Sequence, residues 1–332
     1  MSTRSMVAVV IAVALLALQQ AAAGAGKSTT DISMSSELIP VLKKAQKATI
    51  AGLGTISCDY RAESGGKLMM VGRLTVDLSS LSGLEAELPG FQNWVPLIAP
   101  TMRLDVKDWP GYASHVPPGS PKWDRLVTNS NIIWLVSTDG AAKQSMIFDD
   151  AAKSASVFGG VPATLRYSYL APALETDYPY MSDTTIGNVG HNAGSATIGG
   201  RPCEVYLFDW GKQGGDEPAD SYKVWLDSKW RMPLREEKLS KGRIVEWQTF
   251  SDYIQLSPGV YGARRCAGNL GGTDDVTLEE DFGRFGPSCL LPKEFRVKAN
   301  GAPMQRVRFS NWRKVTVPKS FFVAPPGAKE VK

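Results

Sequence analysis

Alternation of apolar and polar residues with a period of two recurs along this chain, and it confines the fold to strands with one buried face and one wet face. In KLMMVGRLTVD, Leu68, Met70, Leu74 and Val76 alternate with Lys67, Arg73, Thr75 and Asp77. Met102, Leu104 and Val106 alternate with Arg103, Asp105 and Lys107 in the same way. NIIWLVSTDG (131–140) reads as a strand running into an Asp139-Gly140 turn, with KQSMIFDD as its hairpin partner. The pattern returns in TIGGRPCEVYLFDW (197–210), SYKVWLD (221–227), MPLREEKL (232–239), IVEWQTFSDYI (244–254), KEFRVKANG (293–301) and MQRVRFSNW (304–312). Lys241-Gly242 and Asn300-Gly301 supply turns. These segments predict about nine or ten strands joined mostly by short hairpins, an antiparallel meander.

Helical spacing is scarce. Leu38, Val41, Leu42, Ala45 and Ala48 recur at threes and fours after Ser36 as N-cap and Glu37, predicting one helix that ends near Gly52 or Gly54. Further helical patterns are confined to the stretches between Ser79 and Ile98 and in DDAAKSASVFGGVPATLRYSYLAPALE, and residues 175–195 read as loop. No internal repeat or linker divides the chain, so one domain over 36–328 is expected, with insertions near 80–125, 150–195 and 262–290.

The N-terminus reads as an export signal. Arg4 precedes an apolar run from Met6 to Leu18 and then the small-residue cluster Ala21 to Ala25. That run is too short for a membrane span, which needs about 20 residues. Residues 1–23 are therefore expected to be a signal peptide and 24–35 a disordered leader, leaving a soluble periplasmic or extracellular protein. Gly26-Lys27-Ser28-Thr29 imitates the end of a phosphate-binding loop, but that motif needs a glycine where Ala21 stands, so no nucleotide cofactor is implied.

A formal net charge of +4 with no long basic run argues against nucleic acid. Four cysteines in an exported chain allow three disulfide pairings. The favoured one joins Cys266 to Cys289 across the loop-like stretch between them and leaves Cys58 with Cys203; the alternative is four free thiols packed as small apolar groups. No C-x-x-C occurs, and with only His115 and His191 as partners no metal site is expected.

An antiparallel sheet of this breadth must curl as twist accumulates, and the few helices cannot fill its inner face, which predicts a residual apolar cavity. Leu68, Met70, Leu74, Trp134, Trp225 and Trp247 are the candidate wall residues, although tryptophans on strands more often serve as ordinary core. TIGGRPCEVYLFDW, then YKVWLDSKWRMPLREEKLSKGRIVEWQTFSDY, then VTVPKSFFVAPPGA, in that order, resemble the periplasmic lipoprotein-carrier superfamily of outer-membrane lipoprotein-sorting proteins. The resemblance implies α+β, mostly antiparallel β: a curved half-open β-barrel with an N-terminal helix and a few covering helices over a cavity for acyl chains. It also implies a carrier or sensor rather than an enzyme, whose partners are a lipid or an acylated protein, with transient membrane contact. A role as envelope stress sensor or assembly partner that binds protein follows from another branch of the same superfamily.

An exported hydrolase is the rival reading. No G-x-S-x-G or H-E-x-x-H is present, and His115 and His191 sit in glycine- and proline-rich stretches. Asp149-Asp150 and Glu236-Glu237 would point to opposite faces of a strand and be solvated. Asp274, Asp275, Glu279, Glu280 and Asp281 lack EF-hand spacing and read as a solvated acidic loop.

Overall fold

Type I′ hairpin turns, each with both central residues at positive φ, punctuate the chain at Gly65-Gly66, Gly199-Gly200, Lys241-Gly242 and Asn300-Gly301. The first two use glycine twice, and the last two are the turns expected from sequence. The computed structural model describes residues 31–38, 40–41, 53–77, 101–110, 122–129, 132–137, 141–146, 186–210, 221–269, 276–287, 289–323 and 329–330. The expected signal peptide, most of the expected first helix, the Asp139-Gly140 turn, His115 and Asp149-Asp150 lie outside these residues.

The strands are β1 (Ile32–Ser33), β2 (Thr55–Ser64), β3 (Lys67–Asp77), β4 (Thr101–Asp108), β5 (Trp123–Asn129), β6 (Ile132–Ser137), β7 (Ala141–Met146), β8 (Ile186–Ile198) and β9 (Arg201–Trp210). They continue as β10 (Ser221–Asp227), β11 (Pro233–Ser240), β12 (Arg243–Ser257), β13 (Val260–Asn269), β14 (Val276–Phe285), β15 (Cys289–Ala299), β16 (Ala302–Lys314) and β17 (Lys329–Glu330). All belong to one 17-stranded sheet. Two meanders compose it, β2 to β7 and β8 to β16, and the pairing of β16 with β2 joins them. The last long strand thus lies antiparallel to the first, from Gln305 opposite Ser64 to Lys314 opposite Ile56. Every pairing is antiparallel except that of β17 with β7.

Directly opposed residues in an antiparallel pair share a face, so the register assigns side chains across the whole sheet. One face carries Tyr206 opposite Val224 and Val224 opposite Glu236; it continues through Phe250, Cys266, Glu280, Phe295, Val307, Ala62 and Met70, each opposite the next. Leu74, Leu104 and Leu126 extend this apolar face to β5. Both large clusters of buried side chains occupy it, one around Tyr60, Leu74 and Phe309 and one around Tyr206, Phe208 and Val224. The opposite, charged face bears Arg61, Arg308, Glu294, Asp281 and Arg265 in consecutive register positions.

Several expectations are corrected. Ile32 and Ser33, within the expected leader, pair with Gly190 and Val189, and Ile32 is buried. Ser33, not Ser36, caps the helical turn Met34–Leu38: its Oγ accepts from Ser36 N at 3.2 Å while Glu37 reaches back to Ser33 N at 2.9 Å. The glycine-rich stretch read as loop is β8, whose bare Gly190 leaves room for the Phe208 ring that a Cβ would strike. Every stretch read as an insertion contributes strands: β4 and the start of β5, β8, and β13 with β14.

All four cysteines are free thiols, which overturns the expected disulfides. Cys266 and Cys289 are separated by β14, where the first opposes Glu280 and the second Phe285, an offset of about 17 Å along the strand at 3.3–3.4 Å per residue. A disulfide tolerates a Cα separation of about 7 Å at most. Cys58 lies on β2 and Cys203 on β9, with β10 to β16 between them. In the folded protein a thiol reagent should react slowly at every cysteine, and all four should react at once in guanidinium without prior reduction; a thiol count below four in unreduced, unfolded protein would contradict this pairing state.

Candidate functional site

The row of apolar side chains from Tyr206 to Met70 is interrupted by polar ones where it crosses the middle of the sheet. Between the two clusters, β11 to β14 place Glu236, Gln248, Cys266 and Glu280 on it. Glu236 is 1% exposed and accepts a hydrogen bond from the Tyr222 hydroxyl at 2.9 Å. This corrects the solvated reading of Glu236-Glu237: the pair does straddle the strand, but only Glu237 turns to the charged face, where it accepts from Arg235 at 2.7 Å. Burial and then Glu236 push the Tyr222 phenol well above its usual range. Burial, followed by Glu280 and Glu236, does the same to the Cys266 thiol. Unpaired, such groups would be costly inside an apolar layer, so this seam is where the face can discriminate a polar from an apolar ligand atom.

A second polar atom sits inside the larger cluster. Tyr60 is 1% exposed, its ring packs edge-on against Phe309 at 5.7 Å, and among the described residues its hydroxyl has no hydrogen-bond partner. Burial, with a smaller contribution from Cys58, raises its phenol above the ordinary range. An unmet hydroxyl in such a place costs about 1–3 kcal/mol, which a carbonyl acceptor would offset.

The expected wall residues divide between the faces. Met70 and Leu74 are buried on the apolar face within the larger cluster. Leu68 has the same parity as Met70, but a bulge between Ala62 and Glu63 sets it opposite Glu63 on the charged face. Trp225 and Trp247 also belong to the charged face: Trp225 packs with Cys203, Val205 and Leu234, and the Arg235 guanidinium lies 5.8 Å from the Trp225 ring and 5.5 Å from the Trp247 ring. Trp134 is paired in register with Val127. Tyr60, Tyr222 and Glu236 were missed from sequence. Only the position of Tyr60 and Tyr222 within alternating segments could have marked them as inward-facing.

Asp274 and Asp275 lie outside the described residues; Glu279, Glu280 and Asp281 stand on strand β14, not in a loop, and the charges of Glu279 and Asp281 are met. Glu279 accepts from Lys298 and from Arg296 at 2.9 Å, and Asp281 is 2.8 Å from Arg296. Glu294 on β15 binds Arg296 and Arg306, each at 2.8 Å. Among the described residues no group of His, Cys, Asp and Glu side chains is arranged to hold a metal ion. His191, on β8 rather than in a loop, bonds Asp31 at 3.0 Å on the surface and holds that carboxyl below its usual value.

The geometry defines a class: a broad open antiparallel sheet with one continuous apolar face, a buried polar seam across it, and a lattice of ion pairs on its back. No family model matches the chain, and no curated protein matches it. Among solved structures it is similar to a putative outer membrane lipoprotein-sorting protein domain from Vibrio parahaemolyticus, at 11% identity over 86% of this chain and 95% of that one, with a TM-score of 0.33. It is also similar to a LolA superfamily protein from Nitrosomonas europaea, at 9% identity over 88% and 98% with a TM-score of 0.32. A DUF1329 family protein from Desulfovibrio piger matches at 9% identity over 85% and 97%, with a TM-score of 0.31. The strand register, not these likenesses, defines the fold.

The ion pairs carry a pH dependence with a definite sign. Burial alone would raise Glu294, but the hydrogen bonds from Arg306 and Arg296 outweigh it and hold the carboxyl below its ordinary value of 4.5. Lys298 first, and Arg296 after burial, lower Glu279 similarly. A carboxyl lowered by folding stabilises the fold above its unfolded value and loses that contribution as pH falls through the folded one. Glu294→Gln should therefore cost about 1–3 kcal/mol in urea titrations at pH 7 and progressively less below pH 4.5; an equal cost at both ends of that range would refute the ion-pair account.

Proposed function

We propose that this protein is an exported, non-catalytic carrier that holds the acyl chains of a lipid or an acylated protein against the apolar face of its sheet. The observation that carries this reading is the row from Tyr206 to Met70 on one face of a single sheet, in which apolar side chains from both meanders flank one polar seam. Each methylene transferred from water to such a surface gains about 0.8 kcal/mol, so one chain suffices for retention without chemistry. The Tyr60 hydroxyl supplies what a hydrocarbon surface lacks: a donor for an ester carbonyl at the head of the chain. The leader sequence fits delivery to a compartment where acylated molecules need escort through water.

Protein exported to a bacterial periplasm and purified without detergent should show, by native mass spectrometry, additional mass in the range of acyl lipids that organic extraction removes. Tyr60→Phe should weaken rebinding of an ester-linked lipid about five- to tenfold while raising the stability of the extracted protein by about 1 kcal/mol, since it deletes an unmet buried hydroxyl. An extracted protein that neither arrives with lipid nor takes up a fluorescent acyl probe would end the carrier reading.

A further inference from the structure

A cleft of about 660 Å³ opens among the charged-face residues Arg61, Asp281, Lys293, Glu294, Arg308 and Ser310, with Tyr60 and Phe309 of the apolar face also in its lining. Its two signs of charge are not equally satisfied. Each carboxylate has a close donor: Asp59 the Asn311 amide at 2.7 Å, Asp252 the Arg264 guanidinium at 2.7 Å, Asp281 Arg296 at 2.8 Å, and Glu294 both Arg296 and Arg306 at 2.8 Å. Of the cations, Arg61 is paired with Glu63 and Arg264 with Asp252, each at 2.7 Å, whereas Arg308 and Lys293 have no partner that close among the described residues. Arg308 comes no closer than 3.7 Å to Glu294 and 3.8 Å to Glu63, its Nε is buried without an acceptor, and it directly opposes Arg61 in the β16–β2 ladder. Like charges in such a pair repel. Lys293 is the extra residue of a bulge between β14 and β15; its aliphatic stem lies over bare Gly283, and it forms no ion pair among the described residues.

The backbone around the cleft is also held in unusual conformations. Asp252 and Asn311, whose side chains bond the cleft residue Arg264 and the cleft carboxylate Asp59, are non-glycine residues inside strands with φ of 55°. Residues held in the left-handed region cost free energy and concentrate where a surface is shaped for a ligand. Here the φ of Asn311 turns its amide onto Asp59 and that of Asp252 turns its carboxylate onto Arg264, while Lys293 has no ion pair among the described residues and Arg308 only distant ones.

We propose that this cleft binds a phosphate-type oxyanion through Lys293 and Arg308, with the exposed Ser310 hydroxyl as a further donor. A point charge, a planar guanidinium and a hydroxyl present separate donors to the several oxygens of a tetrahedral anion. The anion would also relieve the repulsion between Arg61 and Arg308. The group can arrive as the head of a phospholipid or as a soluble phosphate.

The test uses the full mature chain as wild type, Lys293→Gln, Lys293→Gln with Arg308→Gln, and Arg243→Gln, which removes a cation at the start of β12 outside the cleft lining. Inorganic phosphate is titrated by calorimetry at low salt, and flotation is measured with phosphatidylcholine vesicles with and without phosphatidic acid. Affinity for the probe that binds should fall at least tenfold in the double variant and several-fold in Lys293→Gln, remain unchanged in Arg243→Gln, and weaken for all proteins in 0.5 M salt. Phosphate should raise the wild-type melting temperature and not that of the double variant, whose own stability should equal or exceed wild type because a like-charge pair is gone. Binding of vesicles alone identifies a lipid headgroup, binding of phosphate alone a soluble ligand, and both the group itself. Binding of neither probe, equal binding by the double variant, or an equal loss in Arg243→Gln overturns the site.

Discussion

Register is the constraint on which the rest of this structure depends. Side chains alternate faces along every strand, so a slip of one residue in any ladder would exchange the two faces of that strand. Glu294 would enter the layer of Phe295 and Val307, and Phe295 would stand among Arg308, Asp281 and Arg61. The contrast between the faces is therefore what aligns the strands. Irregularities are admitted where they serve that alignment: bulges at Asp281/Phe282, Val297/Lys298 and Ala62/Glu63 change parity within a strand while the neighbouring row stays apolar. The type I′ turns at Lys241-Gly242 and Asn300-Gly301 start their hairpins in register.

The two faces reach stability by different means. On one, Tyr60, Leu74, Phe309, Tyr206 and Phe208 are withdrawn from water and make a term that is weakly sensitive to salt and pH. On the other, Arg296 joins Glu279 and Asp281 of β14 to Glu294 of its own strand β15, and Arg306 of β16 adds a contact from a third. Such a network matters more than an isolated surface pair, because one guanidinium serves several carboxylates and is already ordered by the first. The seam of Glu236, Gln248, Cys266 and Glu280 breaks this division of labour, and the Tyr222 hydroxyl bonded to Glu236 is one of the contacts that make it tolerable.

Strands with clean alternation and a recognisable turn were legible in the sequence: β3, β4, β6, β7, β9 to β12, β15 and β16, along with the antiparallel character of the whole. What hid the others was chemistry supplied by neighbours. IGNVGHNAGSATI looks like loop until Phe208 is placed over Gly190, and VTLEEDFGRF looks like a solvated acidic run until Arg296 and Lys298 stand opposite it. The cysteines misled for the same reason, since spacing along the chain does not reveal that a strand intervenes between Cys266 and Cys289. Of the wall residues, Met70 and Leu74 were placed correctly on the apolar face by parity, whereas Leu68 was lost to a bulge and Trp225 and Trp247 to a row shared with Lys223, Arg235 and Glu237. The charged cleft could not be read at all, because Arg61 and Arg308 become neighbours only when the ends of the chain are brought together.

That meeting has a temporal meaning. The hydroxyl of Ser64 donates to the carbonyl of Met304 across 240 residues of chain, and every bond of the β16–β2 ladder closes a loop of similar size. Contacts so distant in sequence make for late and slow assembly. For a polypeptide threaded through a membrane from its N-terminus, the first meander would emerge with one edge unsatisfied and remain so until almost the last residues had crossed. In such a chain completion of the sheet would wait for completion of transfer, and the exposed edge of β2 in the interval is where a chaperone, or a misfolded sibling, would find its opening.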